Sequence, residues 1–227
     1  MPSFDQPWQP VINWDTPAGG VLDRLVEALP PDRSWKIIIF RSSPLQLGID
    51  PTFLSGDVDV ISSEELDEYC RRARLLKGQA PVYVEPCTAA SFTASADWLM
   101  RAFEVQRKHV RFILPHPIDI LVSKMKRLEE KDLAAFRLVR AKTGHPTEEE
   151  LMVALRRVVD IYRPSFDEES AGNPRQNTQT VWRELFDKPI DVAEQIIGPA
   201  LAERRKSYGG EQYGFRETLG RFGEQSG

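Results

Sequence analysis

The sequence predicts an α+β protein: a mixed β-sheet flanked by helices, followed by a helical C-terminal part. Three observations predict it. Trp35–Phe40 and Val110–Leu114 are apolar runs of strand length set between turn residues. Asp57–Ile61 alternates with period two, and from residue 118 onward the apolar spacing turns helical and mostly stays so.

Taken in order, the first 19 residues carry Pro2, Pro7, Pro10 and Pro17 and read as an irregular arm, which Trp8 and Trp14 tie to the rest of the protein. Val21, Leu22, Leu25, Val26 and Leu29 recur at helical spacing, and Pro30-Pro31 ends that helix. After the Trp35–Phe40 strand comes a long connection, 41–56, with Pro44, Gly48 and Pro51. Connections of that length inside a domain are usually functional or disordered. The Asp57–Ile61 strand leads into a helix opened by a capping box at Ser62 and Glu65 and running to about Leu76. Residues 81–85 read as a strand, 88–96 as a loop and 97–105 as a short helix, before the Val110–Leu114 strand. A second capping box, Thr147 with Glu150, opens a helix whose apolar face is Leu151, Leu155, Val158 and Tyr162. Residues 165–180 read as a loop, and 181–186 and 190–206 as helices. Six of the fourteen glycines follow Lys206, which predicts a frayed end. The expected organisation is an N-terminal arm (1–20), an α/β core (21–116), a helical C-terminal region (117–206) and a flexible tail (207–227).

Composition excludes several classes. Apolar residues make up 41% and charged residues 28%, so the chain is neither collagenous nor wholly disordered. No stretch approaches the roughly 18 apolar residues of a membrane span, so no membrane partner is expected. The opening residues lack a basic start and an apolar segment, and the expected location is cytoplasmic. Two distant cysteines, Cys70 and Cys87, argue against a disulfide framework and a zinc site. His109, His116 and His145 are not spaced as metal ligands, and His116, between two prolines, reads as a turn residue. A net charge of −4 gives no general attraction to nucleic acid. Residues 124–140 nonetheless hold Lys124, Lys126, Arg127, Lys131, Arg137 and Arg140, a local basic patch that a nucleic-acid binder could use.

The segment Gly56-Asp57-Val58-Asp59-Val60 carries the most chemistry. On a strand, Asp57 and Asp59 share one face, about 7 Å apart at the backbone, while Val58 and Val60 face the core. Aspartate is depleted in strands and two neighbouring anions repel. A divalent cation between them removes that repulsion, and hard carboxylate oxygens suit Mg²⁺ or Mn²⁺. Two acids also discourage edge-to-edge pairing of a solvated strand, and the pattern alone leaves both explanations open.

The context is more specific: an apolar strand ending in Arg41-Ser42-Ser43, a loop of about a dozen residues, then the D-x-D strand. This resembles the nucleotidyltransferase superfamily of the DNA polymerase beta-like fold. The stretch HPIDILVSKMKRLEEKDLAAFRLV, from His116 to Val139, is similar to a segment of bacterial nucleotidyltransferase-like proteins related to AbiEii-type toxins of toxin–antitoxin systems. The matching positions are Pro117, Asp119, Leu121, Ser123, Lys124, Arg127, Glu130, Lys131, Asp132 and Leu133, and the resemblance covers roughly residues 35–140.

The resemblance implies an enzyme that moves a nucleotidyl group from an NTP to an acceptor, an RNA or a protein hydroxyl, with an antitoxin protein as a further partner. Asp57 and Asp59 are then the metal ligands, with Glu85, or alternatively Asp97, as third carboxylate. Ser42, Ser43 and Lys124 are the substrate-binding candidates. Lys124 fits a phosphate contact or a solvated helix face, and Asp132 fits a structural partner for a basic neighbour. One departure stands out: the family places glycine after the first strand, and here the residue is Arg41. That departure motivates the alternative, a catalytically inactive binding or structural protein with the same fold.

Overall fold

The structure, a computed structural model, describes residues 7–163 and 172–207. Five strands, β1 (Trp35–Phe40), β2 (Asp57–Ile61), β3 (Tyr83–Cys87), β4 (Phe103–Arg107) and β5 (Val110–Leu114), form one sheet in the order β3-β2-β1-β5-β4. It is mixed: β1 runs parallel to β5 and antiparallel to β2, β2 is parallel to β3, and β4 is antiparallel to β5. The helices of the described residues are α1 (Pro17–Ala28), α2 (Ser43–Gly48), α3 (Glu64–Arg72), α4 (Pro117–Ser123), α5 (Glu130–Thr143), α6 (Glu148–Arg157), α7 (Pro174–Phe186) and α8 (Gly198–Ser207). The expected mixed sheet with helices is therefore present, and the last five helices follow the last strand.

One face of the sheet is apolar. Ile37 and Ile39 of β1, Val58 and Val60 of β2, Val84 of β3 and Val110, Phe112 and Leu114 of β5 pack with Leu22, Leu25 and Val26 of α1 and with Leu66 and Cys70 of α3. Burying each such aliphatic side chain contributes roughly 1.5–3 kcal/mol, which is why α1 lies with its apolar stripe on the sheet. Because side chains alternate, Asp57, Asp59 and Glu85 belong to the opposite face. A second apolar cluster holds Leu45 together with Ile120, Leu121, Phe136, Leu151, Leu155, Val181 and Trp182, so the later helices form their own core.

The bounds of β1, β2 and β5 coincide with the expected ones. Other elements differ. Residues 97–105 are not a helix: a short 3₁₀ turn at Trp98–Met100 leads into β4, an edge strand whose Phe103 and Val105 are only half-buried. The connection 41–56 contains α2, six residues that bury Leu45 and Leu47. Helix α3 is capped by Ser63, which accepts from the Leu66 amide at 3.3 Å, and not by Ser62, whose hydroxyl bonds Asp67. It ends at Arg72, four residues short of the expected stop. The segment read as a loop to residue 180 includes the first turns of α7, opened by Asn173 and Pro174. Residues 164–171, which include the start of that segment, residues 1–6 of the arm and residues 208–227 of the expected tail lie outside the described residues.

Trp8 reaches back from the N-terminal segment and is 4% exposed. Its indole lies over Gly48, where an added Cβ would come within 2.6 Å of two ring carbons. Gly48→Ala must displace either the ring or the end of α2, at a cost of about 1–3 kcal/mol. A urea-denaturation midpoint checks this, and an unchanged midpoint would show that Trp8 gives way freely.

Candidate functional site

At the end of β1 the chain turns through Arg41, whose φ of 59° lies in the left-handed region that glycine adopts without penalty. An L-residue there costs about 1–2 kcal/mol, so the turn is held by its surroundings. Part of that hold is visible. Phe40 is paired with Asp59 across the β1–β2 ladder, which sets Arg41 beside that aspartate. Arg41 Nη1 donates to Asp59 Oδ1 at 2.7 Å. The backbone thus takes a conformation that favours glycine, while the side chain supplies a cation.

Asp59 is only 1% exposed, whereas Asp57, two residues back on the same strand, is half-buried. Glu85 is the ladder partner of Asp59 on β3, so the two side chains emerge side by side on the same face. Burial pushes the Asp59 carboxyl up to about 6, with Asp57 and Glu85 adding to the rise and Arg41 opposing it. Cys87 donates its thiol to Asp59 Oδ1 at 3.5 Å, and burial together with the Asp59 charge pushes that thiol up to about 11. Cys87 is accordingly a protonated donor at neutral pH and not a nucleophile.

Ser42 and Lys124 meet: Lys124 Nζ donates to Ser42 Oγ at 3.2 Å and to Asp132 Oδ1 at 2.7 Å. The Lys124 and Asp132 side chains are 8% and 6% exposed, so Lys124 does not lie on a solvated helix face. Asp132 also accepts the Glu129 amide at 3.0 Å through its other oxygen, closing a capping box at the start of α5. Asp132 thereby holds the lysine and the helix end together, tying the helical region to the turn after β1. Ser43 is fully buried, and its hydroxyl points back to the Phe40 carbonyl at 3.5 Å.

Asp97 stands in a different neighbourhood. It pairs with Arg101 at 2.8 Å and Arg157 at 3.2 Å, while Arg101 Nη2 donates to Asp119 at 2.8 Å and to Ser95 at 2.6 Å. Arg101 and Asp119 are both nearly sealed from solvent, and nothing in the sequence pattern signals this pair. His116 caps α4, its Nδ1 accepting the Ile118 amide at 3.2 Å, and burial lowers the imidazole to about 4. Four of the six residues of the basic patch pair with carboxylates, Lys124 among them. Arg127 and Lys131 pair with Glu129, Arg137 bridges Glu130 and Glu184, and Arg140 bonds the Pro146 carbonyl. The pairing reduces the patch's charge available to a phosphate backbone.

Asp57, Asp59 and Glu85 are hard oxygen donors of the kind that Mg²⁺ and Mn²⁺ take. As they stand, they do not close around an ion: among the described residues no group of three or more His, Cys, Asp or Glu is arranged to hold a metal. At Asp59, Oδ1 already accepts from both the Arg41 guanidinium and the Cys87 thiol. The Arg41 side chain is 45% exposed, so leaving Asp59 requires a rotamer change and no opening of the core.

No helix among the described residues is long and apolar enough to cross a membrane. Comparison of the chain with protein-family models, with curated proteins and with solved structures finds no match.

Proposed function

We propose that the protein is a nucleotidyltransferase of the polymerase beta-like kind, moving a nucleotidyl group from an NTP to an RNA or protein hydroxyl. The observation that carries this reading is the glycine-type turn at Arg41 placed directly against a same-face carboxylate set, Asp57, Asp59 and Glu85, on adjacent strands. Asp57, Asp59 and Glu85 would hold the divalent cation, which supplies charge neutralisation on the triphosphate when bound. Arg41 would leave Asp59 for a phosphate oxygen, exchanging one charge-assisted hydrogen bond for another. Lys124, held by Asp132 and touching Ser42, would contribute to attracting the same anion. Ser43 contributes through its backbone at the turn, since its hydroxyl is already engaged. A role as toxin, with an antitoxin protein as partner, belongs to the same proposal and rests on the resemblance of residues 116–139.

Incubation with labelled NTPs, Mg²⁺ and a pool of cellular RNA and protein tests it. Transfer of label by the wild type and its loss in Asp57→Asn is the expected result.

A second reading is favoured by one observation, the Arg41–Asp59 ion pair at 2.7 Å. A guanidinium already seated on the buried carboxylate is what a catalytically inactive protein of the same fold would use to replace a cation. Absence of transferred label with every NTP would support that binding or structural role.

A further inference from the structure

We propose that Tyr83 is the nucleobase shelf of the site: its ring stacks on the base of a nucleoside triphosphate whose phosphates lie toward Arg41 and Lys124. The inference rests on the nucleotidyltransferase reading and adds to it the group that holds the nucleoside end.

The order of residues across the sheet carries it. β2 lies between β1 and β3. The cations are on the β1 side: Arg41 follows Phe40, the ladder partner of Asp59, and Lys124 reaches Ser42 in the same turn. On the β3 side, Tyr83 is the ladder partner of Asp57, and Glu85 is that of Asp59. Neighbouring strands lie about 4.8 Å apart and paired residues project from one face, so the Tyr83 ring stands beside the Asp57 carboxylate. The site therefore has a cationic end, a carboxylate middle and an aromatic end. A nucleoside triphosphate has the matching polarity, with an anionic chain at one end and a planar ring at the other.

Tyr83 is also free for such a contact. It is half-buried, and among the described residues its side chain makes no hydrogen bond and no contact with another ring. Phe40, the other aromatic residue of this sheet face, differs. It is fully buried, with its ring packed on Phe92 at 5.5 Å between centroids, and Phe92 packs in turn on Trp98 at 5.3 Å. Phe40 is thus committed to the interior, whereas Tyr83 keeps an unengaged ring next to the carboxylates. Aromatic residues suit strands in general, which accounts for a tyrosine on β3 but not for its place opposite Asp57. Stacking needs only the flat face of a base, so Tyr83 can hold the nucleoside end without reading its hydrogen-bonding edge.

Calorimetric titration with ATP and with inorganic tripolyphosphate, both in Mg²⁺, tests the shelf, because tripolyphosphate carries the phosphate chain without a base. Tyr83→Ala should weaken ATP binding about tenfold, within the range for losing one base–aromatic stack, and leave tripolyphosphate binding unchanged. The unchanged tripolyphosphate affinity also reports that the variant is folded. Tyr83→Phe keeps the ring and should bind ATP as the wild type does. Equal weakening of both ligands in Tyr83→Ala, no weakening of ATP, or the same loss of ATP in Tyr83→Phe would overturn the shelf and leave the nucleotidyltransferase reading standing on triphosphate binding. A wild type that binds neither ligand would overturn both.

Discussion

Replacing Arg101 with methionine is expected to cost about 3–5 kcal/mol of stability, the range for breaking a buried ion pair from one side. Arg101 and Asp119 have side chains only 4% and 5% exposed and meet at 2.8 Å. Burial is the main cause that raises the Asp119 carboxyl, with Asp97 adding to it, and Arg101 chiefly, with Arg157, opposes the rise. Without the guanidinium, Asp119 must either stay charged in an apolar setting or take up a proton, and Ser95 loses its 2.6 Å partner. Asp119→Asn should cost less, because Arg101 keeps Asp97 and Ser95. The double variant Arg101→Met with Asp119→Leu should recover much of the loss, since replacing both partners of a buried pair by apolar groups is often close to neutral. Urea-denaturation midpoints for the wild type, Arg101→Met, Asp119→Leu and the double variant complete the cycle that measures the coupling. A loss below about 1 kcal/mol in Arg101→Met would show that the pair is far better solvated than its burial implies.

Asp59→Asn is expected to have the opposite sign. The folded protein holds this carboxyl at about 6, above its ordinary value of 3.8, chiefly through burial. Between those two values the folded state binds the proton that the unfolded state has released, so stability is greatest below about pH 4 and falls as pH rises through 6. A displacement of about two pH units corresponds to roughly 3 kcal/mol at neutral pH. Asparagine has no such titration. At pH 7 the Asp59→Asn protein should therefore be more stable than the wild type by an amount on the order of 2–3 kcal/mol, with the gap closing toward pH 4. The Arg41 partner is lost as well, but at 45% exposure that loss is small. Thermal or urea unfolding between pH 4 and pH 8 checks both the sign and the window. An Asp59→Asn protein less stable at pH 7 than the wild type would mean that Arg41 outweighs the burial.

The central strands were readable because each is an apolar or alternating run bounded by turn residues. The physical requirement for burial on one face writes itself directly into residue order at Trp35–Phe40, Asp57–Ile61 and Val110–Leu114. Strand β4 was not, since an edge strand needs only Phe103 and Val105 half-buried, and Trp98, Leu99 and Met100 just ahead imitate a helical start. Helix α2 hides in a connection rich in proline and glycine, stabilised by Leu45 and Leu47 packing into two different cores and not by its own propensity. The shared face of Asp57 and Asp59 follows from the period of a strand. The register that sets Glu85 beside Asp59 does not, because it depends on how β2 and β3 pair across more than twenty residues of chain. The ion pair between Arg41 and Asp59 was equally out of reach. It needs the left-handed backbone at Arg41, a conformation that residue type argues against and only the surrounding fold imposes.

Electron paramagnetic resonance of Mn²⁺ titrated into the protein tests most directly whether these carboxylates hold a cation. The account predicts saturable binding by the wild type, loss in Asp57→Asn and in Asp59→Asn, and tighter binding in Arg41→Gly, which keeps the turn and removes the competing guanidinium from Asp59. Binding that ignores all three substitutions, or no binding even in Arg41→Gly with NTP present, would contradict it.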